Sequence, residues 1–270
     1  MSANPDHVTA GSLAVEFREV GYVLPNGQPL LDGINLSVLT GETLVLLGRS
    51  GAGKSTALKL INRMIDPSAG EVLVQGRSTR EWDPIELRRK IGYVIQETGL
   101  FPHYTVEQNI SLVPRLEKWP PDKIHARVSE LMSLIGMNDP GFLRRYPHEL
   151  SGGQRQRVGV ARALAADPPI LLMDEAFGAL DPLTRGEVQR EFLELKNRLK
   201  KTIIIVTHHV GEAIFLGTRI GVMDAGNLVR VYSPKEFMAA NEPVAAAYVA
   251  NLRMYEDAER NTANEVEGKS

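Results

Sequence analysis

The 270-residue chain contains no cysteine, which excludes a disulfide scaffold, a thiolate metal centre, an iron–sulfur cluster and a cysteine nucleophile. A chain of this length buries most of its unfolded surface without covalent staples. It also lacks a charge excess. With 31 Lys+Arg against 33 Asp+Glu, the formal net charge is −2, so the basic bias of nucleic-acid binders is missing and no nucleic-acid partner is expected. Long apolar runs are absent too. The stretches Leu44–Leu47, Ile170–Met173 and Ile203–Val206 are strand-sized, far below the ~18–20 residues that span a bilayer. Met1–Gly11 has neither a basic nor an apolar leader segment, so no signal peptide is expected. These absences predict a soluble, cytoplasmic α/β protein.

What is present is patterned. Val15 and Phe17 alternate with Glu16 and Arg18, the period of a half-buried strand. Pro25-Asn26-Gly27 reads as a turn, and Ile34, Leu36 and Val38 as a second alternating strand. Thr43–Leu47 is a fully apolar strand running into a glycine-rich loop. Behind it Leu58, Leu60, Ile61 and Met64 are read as one helix face, broken at Pro67–Gly70, and strands are expected at Glu71–Gln75 and Ile91–Gln96. From about Glu97 to Ala166 strand patterns vanish. Helical spacing at Ile124, Val128, Leu131, Leu134 and Ile135 predicts a helical subdomain inserted in the α/β core. Strands return at Ile170–Met173 and Ile203–Thr207 around a helix over Thr184–Lys200, and Ile220–Val231 reads as a hairpin. The main domain is drawn over residues 13–240. Residues 241–270 form a helical then polar tail, expected to fray after Arg253.

Two motifs carry phosphate chemistry. Gly48-Arg49-Ser50-Gly51-Ala52-Gly53-Lys54-Ser55, followed by Thr56, fits G-x-x-x-x-G-K-[ST] between a strand and a helix. Glycines let backbone N–H groups turn inward around a polyanion where side chains would block the approach. Lys54 is expected to reach the β- and γ-phosphates and the Ser55 hydroxyl to ligate Mg²⁺. The helix behind points its positive end at the same charge. Downstream, Ile170-Leu171-Leu172-Met173-Asp174-Glu175 describes a buried strand with acids at its carboxyl edge, where α/β ligands bind. Asp174 is placed to hold Mg²⁺, and Glu175 to orient or deprotonate an attacking water.

Between these motifs, Leu150-Ser151-Gly152-Gly153-Gln154 opens a basic amphipathic helix. Here the chain resembles the ATP-binding cassette family, whose signature is this LSGGQ sequence. The resemblance implies a P-loop, RecA-like core with an N-terminal antiparallel β subdomain and an inserted helical subdomain. It implies ATP and Mg²⁺ as ligands and a head-to-tail homodimer. In such a dimer Ser151, Gly152, Gly153 and Gln154 of one copy cover the γ-phosphate bound by the other. Gln96 matches the Q-loop glutamine that contacts Mg²⁺ and water, Asp181 of Ala179-Leu180-Asp181 the D-loop, and His208 the switch histidine at the γ-phosphate. The likeness runs from about Leu13 to Tyr232.

Three positions depart from the family pattern. His209 stands where aspartate is usual, and Ala176 where proline is usual. The adenine-stacking aromatic falls in register on Leu24. Tyr22, two residues earlier on the same strand face, is either its substitute or an ordinary packing residue. His7, His103, His125 and His148 lack metal-ligand spacing. Trp82 and Trp119 read as packing residues or as the edge of a groove for a membrane partner. Arg144-Arg145 and Lys200-Lys201 read as solvated faces. The stretches Ile95–His103 and Phe177–Arg185 resemble importers of osmoprotectants and quaternary amines. That resemblance implies a separate membrane permease, indirectly a solute-binding protein, and a peripheral position on the cytoplasmic face of the membrane. A subunit of a lipid or drug exporter, or a non-transport cassette ATPase, are the alternatives.

Overall fold

The computed structural model describes residues 11–96 and 99–254. In chain order the elements are β1 (Leu13–Val23), β2 (Pro29–Leu39), β3 (Thr43–Gly48), α1 (Lys54–Ile61), β4 (Ala69–Val74), β5 (Arg77–Ser78), α2 (Pro84–Arg89) and β6 (Ile91–Val94). Then come α3 (Val106–Leu116), α4 (Pro121–Leu134), two 3₁₀ turns (Pro140–Arg144 and Pro147–Glu149) and α5 (Gly152–Leu164). The chain continues through β7 (Ile170–Asp174), α6 (Pro182–Leu199), β8 (Thr202–Thr207), α7 (Val210–Leu216), β9 (Arg219–Asp224), β10 (Asn227–Tyr232) and α8 (Pro234–Met238). A last helix, α9, covers 243–254.

Two sheets organise these elements. An antiparallel sheet of order β2-β1-β4-β5 carries the N-terminal strands, and a six-stranded sheet has the order β10-β9-β3-β8-β7-β6. In the second sheet β6, β7, β8, β3 and β9 run parallel, and β10 returns antiparallel to β9. Every residue of β3 and β8 is buried, which is why those strands read as unbroken apolar runs: a parallel sheet covered on both faces has no solvent side to alternate with. One cluster packs Val15, Phe17, Leu44, Leu46 and α1's Leu58 and Ile61 between the two sheets. The opposite face of β3, through Val45 and Leu47, joins Leu131, Val158, Leu164, Phe177 and Phe192 of the helical side.

Among the described residues from 99 to 166 all regular elements are helical. α4 places Val128 and Leu131 in the core as its spacing requires. Two strand and helix ends differ from the sequence pattern. α1 stops at Ile61, and Met64 is exposed rather than on its buried face: the chain turns at Arg63, which adopts a positive φ. β6 stops at Val94, so Gln96 sits in a turn, not at a strand end. Lys201 is not freely solvated; its ammonium pairs with Asp167 at 2.7 Å with most of the side chain covered. Trp82 packs on the N-terminal cluster under Arg77 and Lys90, at 4.6 and 4.9 Å from its ring. His7 and the polar tail beyond residue 254 lie outside the described residues. Among those described, no helix is long and apolar enough to cross a membrane.

The register fixes where chemistry gathers. Gly48 lies beside Met223, Leu47 beside Thr207, and Asp174 beside Val206. The carboxyl ends of β3, β8 and β7 therefore stand side by side, and the residues that follow each of them share one rim, where ligands of parallel α/β sheets bind.

Candidate functional site

The loop from Gly48 to Lys54 is shaped by what its glycines avoid. A Cβ on Gly48 would collide with the Met223 carbonyl, and one on Gly53 with the Leu31 side chain and the Leu30 carbonyl. Gly51 and Gly53 have φ of 82° and 92°, left-handed values that L side chains rarely adopt. Gly53 is the N-cap of α1, with no side-chain cap bond and no acid in the first turn. The orphan N–H groups there are left to a ligand. Lys54 is buried, and its ammonium donates to the carbonyls of Gly48 and Arg49, each at 2.9 Å. Burial pushes its pKa down, with the carboxylates of Glu175 and Asp174 opposing the shift.

At the next strand, Ser55 Oγ donates to Asp174 Oδ1 at 2.7 Å, a charge-assisted contact. Tyr93, from β6, donates its hydroxyl to Asp174 Oδ2 at 3.4 Å. Its pKa is raised by burial first and by the Asp174 charge second, so it is a neutral donor that orients the carboxylate. Sequence reasoning passed over Tyr93 because it reads as one residue of a strand. Among the described residues no three His, Asp or Glu side chains gather to hold a metal. A hydroxyl and a single carboxylate 2.7 Å apart fit a hard cation that takes its other ligands from water and phosphate, as Mg²⁺ does.

Glu175 has φ 45°, a left-handed turn for a non-glycine residue, while its N–H still donates to Val206 O at 3.0 Å. Strain of this kind costs on the order of 1 kcal/mol and clusters at functional sites. His208 Nδ1 lies 3.3 Å from Glu175 Oε2, and Gln96 Nε2 donates to the same oxygen at 3.5 Å. The structure thus brings Lys54, Ser55, Asp174, Glu175, Gln96 and His208 to one rim. Tyr22 lies in β1 opposite Leu31, half-buried against the N-terminal cluster, and Leu31 is the residue that crowds Gly53. Tyr22 therefore stands one strand away from the phosphate loop.

The LSGGQ residues form a separate group. Ser151 is the N-cap of α5: its Oγ accepts from the Gln154 N–H at 3.2 Å, and Gln154 Oε1 accepts from the Ser151 N–H at 2.9 Å, a closed capping box. Asp181 caps α6 by accepting from the Thr184 N–H at 3.1 Å, and hydrogen bonding from the Thr184 side chain first and its N–H second holds the carboxyl below the usual range. The two caps are neighbours, since a Cβ on Gly153 would crowd the Thr184 methyl and one on Gly152 would touch Leu180. No hydrogen bond or ion pair among the described residues joins Ser151–Gln154 or Asp181 to the phosphate loop. Sequence reasoning also missed a polar network behind the rim. Buried Glu212 accepts from Thr207 Oγ1 at 2.5 Å and from Gln189 Nε2 at 2.9 Å. Burial raises its pKa despite these bonds.

Comparison with known proteins matches this geometry. A glycine betaine/carnitine/choline transport ATP-binding protein of Bacillus subtilis (strain 168) is 52% identical over 84% of this chain and 60% of its own length. A choline transport ATP-binding protein of the same organism is 53% identical over 81% of this chain and 57% of its own. The chain thus spans well under two thirds of these two relatives. Among solved structures, cbiO1 from Clostridium perfringens, part of an ABC transporter complex, aligns with TM-score 0.79 at 29% identity over 92% of this chain and 99% of that one. A dimeric ATP-binding cassette in a post-hydrolysis state with ADP and Pi aligns with TM-score 0.72 at 33% identity, over 82% of this chain and 98% of its own. The family described as ABC transporter matches residues 31–178. By the phosphate loop, the signature turn and these likenesses together, the chain belongs to the ABC transporter family.

Proposed function

We propose that the chain is the ATP-hydrolysing subunit of an importer for osmoprotectants or quaternary amines. It works as a homodimer bound to a separate permease on the cytoplasmic face of the membrane, with a solute-binding protein delivering cargo. The observation that carries the reading is the rim itself: a buried Lys54, the Ser55–Asp174 pair and a Glu175 carboxylate 3.3 Å from His208. The residues of the main domain, 13–240, build this machine.

In this reading the loop amides of Gly48–Thr56 and the Lys54 ammonium hold the β- and γ-phosphates, and Tyr22 contacts the base. Ser55, Asp174 and Gln96 would hold Mg²⁺, which neutralises phosphate charge when bound. Glu175 accepts a proton from a water whose oxygen bonds to the γ-phosphorus as the bond to the ADP oxygen breaks. His208 and Gln96, already on Glu175, fix that carboxylate's orientation. Positioning and charge stabilisation supply most of the catalysis in such transfers. The separation of Ser151–Gln154 and Asp181 from the phosphate loop of the same copy is what a shared site requires. A second copy brings its signature and D-loop residues to the γ-phosphate.

The relatives motivate the cargo: they are transport ATP-binding proteins for glycine betaine, carnitine and choline. The test is the Glu175→Gln variant, studied with ATP and Mg²⁺. Expected are retained ATP binding, turnover reduced by about 10²-fold or more, a stable ATP-bound dimer by sedimentation, and recovery of a multi-span protein from solubilised native membranes. Normal turnover removes Glu175 from the chemistry, and recovery of nothing membrane-embedded removes the importer.

A further inference from the structure

Arg185, in the first turn of α6, spreads one guanidinium over two structures. Its Nη2 donates to the carbonyls of Leu180 at 3.0 Å and Gly178 at 3.4 Å, in the turn between β7 and α6. Its Nη1 lies 3.3 Å from His209 Nε2. A guanidinium has donors only, so the His209 ring nitrogen facing it accepts, and the ring is neutral with its proton on Nδ1. The other side of that ring lies against His208, with centroids 4.1 Å apart and planes at 38°. His208 in turn touches Glu175. The His209 N–H donates to Thr207 Oγ1 at 3.0 Å, which ties the backbone to buried Glu212. A continuous path thus runs from the backbone beside Asp181 through Arg185 and His209 to His208.

We propose that Arg185 and His209 are positioning residues for hydrolysis, a link through which the turn preceding Asp181 sets the orientation of His208 on Glu175. The inference rests on the ATPase reading given above. It adds that the unusual second histidine works as a neutral acceptor for Arg185. A shift of the 178–181 turn, which carries the two carbonyls bound by Arg185, moves the guanidinium, and the stacked rings follow. Protonating His209 breaks the link from the other side, because it removes the acceptor and sets two cations face to face. The charged and titratable groups facing His209 are Arg185 from α6, Glu175 from the end of β7 and His208 from the end of β8, with Glu212 of α7 behind Thr207 and Arg185. Burial, His208 and Arg185 hold the His209 pKa low, against the pull of Glu175, so the neutral ring is the working form near neutral pH.

The test is ATP hydrolysis by the full chain with Mg²⁺ across about pH 5 to 8, for Arg185→Ala, His209→Ala, His209→Gln and the double alanine variant. Misplacement of a reacting group by about 1 Å costs on the order of 10²-fold, so Arg185→Ala and His209→Ala should each lower kcat about 10- to 100-fold. KM for ATP should move less than about twofold, since the contact serves the transition state and not uniform binding. The double variant should be no slower than either single one. His209→Gln keeps an acceptor at the same reach without a titrating ring. It should retain turnover and lose the acid-side fall expected of wild type. A His209→Gln chain with the wild-type acid limb, or a His209→Ala chain with wild-type kcat, overturns the link. Ring-labelled histidine NMR separates this from the underlying reading, because it needs no turnover. Arg185→Ala should move the His209 titration up toward the ordinary imidazole range. An unmoved titration overturns the link, whereas absent hydrolysis by wild type with the titration moved overturns only the ATPase reading.

Discussion

Two helix N-termini that the proposed ATPase would offer to phosphate are built in different ways. α1 begins at Gly53 in a left-handed conformation with no side-chain cap bond on its first turn. α5 begins at Ser151 with a closed capping box, in which the Ser151 hydroxyl accepts from the Gln154 N–H and the Gln154 side-chain oxygen from the Ser151 N–H. The difference lies in the backbone. At α1 the glycines keep side chains away and leave the amides open for a polyanion. At α5 the Ser151 oxygen accepts from its own helix, and its O–H is the group left to donate to a phosphate in the proposed shared site.

Breaking α1's site should have the larger effect. Lys54→Ala removes a charge-assisted donor worth about 1.5–3 kcal/mol per contact. Nucleotide affinity measured by calorimetry should fall about 100-fold or more, and unchanged affinity removes Lys54 from the phosphate site. Ser151→Ala should cost about 1 kcal/mol of stability through the lost cap, read by urea unfolding, and should slow turnover as well. Slowed turnover with no loss of stability would break the comparison, since the hydroxyl would then not be capping. Gln154→Ala opens the other half of the box and should cost a few tenths of a kcal/mol less than Ser151→Ala, because it spares the hydroxyl's own bond.

The smallest effect concerns the network behind the rim. Burial raises the Glu212 pKa above its unfolded value, so the folded state binds more protons there than the unfolded state. Stability should therefore fall as pH rises from the usual carboxylate range through the raised folded value. Glu212→Gln removes that slope and should change stability at pH 7 by about 1 kcal/mol or less. A slope that persists in the variant assigns it to another group.

The phosphate loop and the Asp174-Glu175 step were legible in the sequence because each rests on a local rule, glycine for backbone approach and an apolar run for a covered parallel strand, and the signature turn was legible by its likeness to the family's LSGGQ. Element ends were less so. Met64 follows the helical spacing of Leu60 and Ile61, yet the chain leaves the helix at a left-handed Arg63, and spacing carries no signal of that. Gln96 closes the strand expected over Ile91–Gln96, but among the described residues β6 pairs only with β7, and that pairing ends at Val94 and Met173. The left-handed turn at Glu175 has no sequence signature at all.

The sequence alone determined that this chain has a phosphate loop on a parallel α/β core, an acid step and a signature turn, since these depend on residues a few positions apart. Only the tertiary structure decided that Tyr93 steadies Asp174, that His208 and Gln96 share one oxygen of Glu175, and that Arg185 reaches His209. Those partners come from separate strands and helices. They meet because the sheet order β3-β8-β7-β6 sets their carboxyl ends along one rim, and strand order is fixed by non-local packing that no local pattern encodes.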